Sequence, residues 1–153
     1  MTAPGHNQTK IRVGIDFGTT NSVVVIADEN GNTHPARFVF TDHATSETCR
    51  TLLCLWMDQD GRRRVMKDAI GLDAIEAYLD DPAESRLIMS MKTYLAQGSF
   101  RETRVFSSVM TLEALIARFL TSLMDKAGLN PGDVSTTIGR PVRFAGELAD
   151  DSL

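Results

Sequence analysis

The chain has 153 residues, of which 42% are apolar and 24% charged, with a formal net charge of −4. That length suits one domain able to bury a real core. The weakly acidic balance offers no general attraction to nucleic acid, and the sparse aromatics make no stacking platform.

Residues 1–10 are polar and read as a flexible tail. Ile11–Phe17 alternates as a half-buried strand does, and 22–27 is the β-branched, apolar run expected of a strand covered on both faces. The few residues between them make the pair a β-hairpin. Asn30-Gly31 signals a second tight connection, so 33–40 is predicted as a third strand, antiparallel to the second. The polar stretch 41–47 reads as a loop. Residues 51–57 and 62–66 flank an Asp-Gly turn and form a second hairpin, separate from the first. Apolar residues at Ala69, Ile70, Leu72, Ala74, Ile75 and Leu79 predict a helix over 67–79. Leu87, Ile88 and Met91 predict another over 83–95, ending near Gly98. The clearest helix is 112–127, where Leu112, Leu115, Ile116, Phe119, Leu120 and Leu123 form one stripe. Thr111 is its N-cap, Glu113 suits the first turn, Lys126 the last and Gly128 the C-cap. Val134–Ile138 then returns to the first sheet, and a strand–helix–strand crossover implies parallel pairing.

No apolar run reaches the roughly 20 residues that cross a bilayer. The polar start lacks the apolar centre of a signal peptide, so a cytoplasmic protein with reduced thiols and no membrane partner is expected. Arg62-Arg63-Arg64 reads as a solvated hairpin rather than a nucleic-acid patch. Cys49, Cys54, His34 and His43 lack the close pair spacing of a zinc site.

The turn of the first hairpin carries the chemistry. Gly18 removes a side chain that would keep a ligand from the main chain, and successive turn N–H groups make an anion-binding concavity. Thr19, Thr20 and Asn21 add side-chain donors. Asp16, at the strand end, is placed to hold hydrated Mg²⁺ against a phosphate. Neither a P-loop nor a Gly-x-Gly-x-x-Gly occurs in the chain.

Ile15-Asp16-Phe17-Gly18-Thr19-Thr20-Asn21-Ser22 resembles the first phosphate-binding hairpin of the Hsp70 chaperones, within the actin-like ATPase superfamily. Sugar kinases of that superfamily carry a similar Asp-x-Gly-Thr hairpin. By itself Lys92 is an ordinary solvated helix residue. Its setting, Met89-Ser90-Met91-Lys92-Thr93-Tyr94-Leu95, resembles the Hsp70 segment whose lysine reaches the γ-phosphate and the attacking water. Val105-Phe106-Ser107 resembles the entry to the crossover helix, and the segment from Thr137 to Phe144 resembles the strand and loop that follow it. Gly139-Arg140-Pro141 within that loop is closer to the divergent, YegD-like bacterial branch than to a general chaperone.

The resemblance implies an α/β, ribonuclease H-like half-domain: a mixed sheet with a crossover helix and a smaller inserted lobe. Its core spans 11–40 and 107–153, and the lobe 41–106. It implies ATP or ADP with Mg²⁺ as cofactors, Asp16 and Lys92 as catalytic residues, and Gly18, Thr19, Thr20 and Asn21 as phosphate-binding residues. The second acid, the second Asp-x-Gly-Gly-Gly-Thr hairpin and the adenosine-binding segment of the family are not in these 153 residues. The expectation is therefore the N-terminal part of a longer ATP-binding chaperone, inactive as an ATPase alone. Its partners would be the second half of the ATPase domain and, in the parent, unfolded peptide clients and co-chaperones. The surface left uncovered predicts weak self-association. A sugar-kinase fragment and a degenerate actin-like interaction module are the alternatives. The inserted segment speaks against the kinase, and intact Asp16, Gly18, Thr19 and Thr20 against degeneration.

Overall fold

The computed structural model describes residues 11–97 and 100–139. The expected tail over 1–10, the predicted helix end near Gly98 and the loop from Arg140 to Phe144 lie outside them. The first three strands are β1 (Ile11–Phe17), β2 (Asn21–Ala27) and β3 (Thr33–Pro35). Three short strands follow: β4 (Phe38–Val39), β5 (Thr45–Ser46) and β6 (Cys49–Arg50). Next come β7 (Leu53–Asp60), β8 (Arg63–Ile70), helix α1 (Gly71–Asp80), β9 (Ser85–Ile88) and helix α2 (Met91–Gln97). The chain continues through β10 (Glu102–Val105), β11 (Ser108–Thr111), α3 (Leu112–Lys126) and β12 (Val134–Ile138).

The molecule is thus mixed α/β. Its largest sheet has the order β12-β1-β2-β3, with β6 also pairing β2. β1 and β2 are antiparallel, Phe17 facing Ser22, while β12 runs parallel to β1 with Val134 opposite Ile11. A second sheet has the order β8-β7-β9, and β4-β5 and β10-β11 are two-stranded ribbons. α3 ends as its sequence requires. The Thr111 Oγ1 accepts from the Ala114 N–H at 3.2 Å. At the other end Gly128 (φ 70°) donates to Asp125 O at 2.9 Å and Leu129 to Met124 O at 3.0 Å, a Schellman closure. Val13, Ile15 and Phe17 from the first sheet, Leu53, Leu55 and Ile70 from the second, and Leu115, Phe119 and Leu123 from α3 form one core.

Four expectations require correction. The third strand ends at Pro35, not Phe40, and the chain then turns away to bury Ala36, Phe38 and Phe40. Part of the expected loop over 41–47 is strand, because Thr45 and Ser46 pair with Val39 and Phe38. The helix predicted over 67–79 begins only at Gly71. Lys67–Ile70 remain in β8, opposite Trp56 to Leu53, and Gly71 adopts φ 66° where a Cβ would come within 2.7 Å of the Phe40 ring and 2.8 Å of the Cys49 sulfur. Gly71 is therefore the break between strand and helix. The helix predicted over 83–95 is instead β9 followed by α2, separated by Ser90 at φ 58°. Leu53, Cys54 and Leu55 of β7 are fully buried, so their backbone groups need partners on both edges, and β9 supplies the second. Among the described residues, no helix is long and apolar enough to cross a membrane.

Candidate functional site

The first hairpin holds its turn from several directions. β1 buries Val13, Ile15 and Phe17, so alternation sends Asp16 to the opposite face, exposed and opposite Val23. Gly18, Thr19 and Thr20 make the turn itself. A Cβ on Gly18 would collide with the carbonyl oxygen of Asn21, so closing the turn itself requires glycine. Asn21 and Ser22 pair with Arg50 and Cys49 of β6. The Thr51 N–H donates to Thr20 O at 2.9 Å, and the buried hydroxyls of Ser22 and Thr51 meet at 2.9 Å.

What remains unpaired in this pinned turn matters chemically. Among the described residues, the N–H groups of Thr19 and Thr20 donate no hydrogen bond outside the strand ladder. The side chains of Asp16, Thr19, Thr20 and Asn21 make none either. Thr19, Thr20 and Asn21 are exposed. A fixed loop with unspent donors beside one free carboxylate suits an anion accompanied by a hydrated cation.

Lys92 is the second residue of α2, half-buried, and makes no ion pair or hydrogen bond among the described residues. No hydrogen bond or ion pair joins it to the Asp16 turn among the described residues. Neither Lys92 nor any turn residue lines any of five surface cavities of about 290 to 510 Å³. The exposure of Thr19, Thr20 and Asn21 puts the turn on open surface. Cys49, Cys54, His34 and His43 do not converge, and no group of three His, Cys, Asp or Glu side chains among the described residues is set to hold a metal ion.

A polar seam between β8, α1 and α3 went unread in the sequence. Arg118 Nε donates to Asp68 Oδ1 at 2.6 Å and its second nitrogen to Met66 O at 2.9 Å, while Ser122 Oγ donates to Asp68 Oδ2 at 2.6 Å. One turn on, Lys126 Nζ donates to Asp73 Oδ2 at 2.6 Å and to Val39 O at 3.0 Å, and sits 4.9 Å above the Phe40 ring. Burial raises the Asp73 carboxyl, but hydrogen bonds from Lys126 and the Thr41 N–H outweigh it and hold it below its usual value. The available signal was Arg118, Ser122 and Lys126 at four-residue steps, one polar flank on an apolar helix. The charged groups of this seam are paired with one another across three elements, which makes it a clamp between them.

No family model matches the chain, and no curated protein matches it.

Proposed function

We propose that this chain supplies the first phosphate-binding hairpin of an Hsp70-like nucleotide-binding domain of the actin-like ATPase class. In this reading a facing half-domain supplies the rest of the phosphate cradle, and the parent protein is an ATP-driven chaperone acting on unfolded peptides. The observation that carries the reading is the turn over Gly18, Thr19 and Thr20. It is held by Thr51 and β6, yet among the described residues the N–H and hydroxyl donors of Thr19 and Thr20 are unspent. Support for the fold comes from a mixed sheet in which β12 returns parallel to β1 after α3, beside the antiparallel β1-β2-β3 run.

The residues then divide the work. Gly18, Thr19, Thr20 and Asn21 bind and orient the phosphate oxygens. Asp16 would hold Mg²⁺ through water, and the ion would neutralise phosphate charge there. Lys92 stabilises charge on the transferring phosphoryl oxygens once the facing half closes the site. The test is Asp16→Asn in the protein carrying both halves. It keeps shape but removes charge, so turnover should fall at least ~100-fold with little change in melting temperature. Lys92→Ala should lower hydrolysis more than ATP binding. Normal turnover in the double variant would overturn the reading.

A further inference from the structure

The largest of the five cavities, about 510 Å³, lies far in sequence from the phosphate turn and runs beside β9. Among the described residues, β9 is an edge strand, hydrogen-bonded to β7 alone. Its register places Ser85 and Leu87 on the face of Trp56 and Cys54, and Arg86 and Ile88 on the face of Leu55 and Leu53. All four line the cavity, together with Tyr78 of α1 and Tyr94 of α2. The cavity thus takes in residues from both faces of β9, whose outer edge has no ladder partner among the described residues.

Edges are commonly guarded by charge or covered. β8, at the opposite side of the same sheet, carries Arg63, Arg64 and Lys67, and its Met66 carbonyl is taken by Arg118. β9 carries one charge, Arg86, and otherwise presents Leu87 and Ile88. Its apolar residues continue into Met89, which is 56% exposed and also lines the groove. One cation, Arg86, and no acid line the groove, and among the described residues its guanidinium forms no ion pair.

We infer that this edge accepts an extended, acid-bearing segment of another polypeptide, which adds to β9 as a new strand. The four residues of β9 span about 13 Å at roughly 3.3 Å per residue, enough to register a short segment. Main-chain hydrogen bonds supply the affinity, and alternate side chains enter the two walls of the groove. Arg86 selects a carboxylate in the added strand. The inference does not depend on nucleotide binding at the Asp16 turn.

The test is an array of eight-residue peptides alternating apolar and polar residues, with a central glutamate, glutamine or lysine, probed with the whole chain. Glutamate members should bind best. N-methylation at alternate amides, which removes ladder donors without touching the protein, should weaken them at least about tenfold. Arg86→Glu alters an exposed side chain, so the melting temperature should hold while selectivity turns from glutamate to lysine. Absence of binding by every member, indifference to N-methylation, or selectivity unchanged by Arg86→Glu would each overturn the inference.

Discussion

The hydroxyls of Ser22 and Thr51 meet at 2.9 Å where neither residue is more than 1% exposed. Thr51 also donates its N–H to Thr20 O, so one residue just before β7 fixes the turn between β1 and β2. Ser22→Ala strands the Thr51 hydroxyl in the interior and should cost about 1–3 kcal/mol. Adding Thr51→Val removes the stranded partner, so the double variant should lose less than the sum of the singles. Urea unfolding of the four proteins checks this, and simple additivity would refute the coupling.

Gly71→Ala should be among the most damaging single-methyl additions in the chain. The left-handed backbone disfavours alanine by about 1–2 kcal/mol, and contact with the Phe40 ring and Cys49 sulfur adds overpacking of about 1–3 kcal/mol. A shift in urea midpoint equivalent to less than about 1 kcal/mol would mean that the strand-to-helix break relaxes freely.

The Asp73–Lys126 pair should carry a pH signature. The Asp73 carboxyl is held below its ordinary value of 3.8 in the folded chain. Its contribution is therefore fully present above that value and lost as pH falls through the lower, folded one. Asp73→Asn should destabilise at pH 7 by about 1–3 kcal/mol. The gap from the parent chain should stay constant down to about pH 5 and close in stronger acid. A gap that persists unchanged to pH 2 would contradict the pairing.

Both thiols should be inert in the native chain. Burial pushes the Cys49 thiol up to about 12 and raises that of Cys54, so neither offers thiolate at neutral pH. A disulfide-exchange dye should register no thiol in buffer and two in denaturant. Rapid native labelling at either position would show that the core opens locally.

The elements legible in the sequence are those where several local signals agree. β1, β2, α3 and β12 each combine a clear period with turn or cap chemistry, down to Thr111 and Gly128 at the ends of α3. β9 was misread because Leu87 and Ile88 fit a helix stripe or a strand equally well, and only distant β7 decides between them. The turn from Gly18 to Thr20 was visible because its residues are contiguous. Its fixing by Thr51, 29 positions from Ser22, was not, and neither was the clamp joining Arg118 to Asp68 across 50. Helical spacing displayed the donors of that clamp, but no local pattern displays their acceptors.

The central claim is that the turn after Asp16 binds phosphate. Its most direct test is a titration of the isotope-labelled chain with Mg-ATP, followed amide by amide by NMR. The N–H signals of Gly18, Thr19 and Thr20 should move together with a Kd on the order of millimolar, as befits half a cradle. Asp16→Asn should remove their dependence on Mg²⁺. Turn signals that stay still through saturating nucleotide, or that move identically in Asp16→Asn with and without Mg²⁺, would contradict the account.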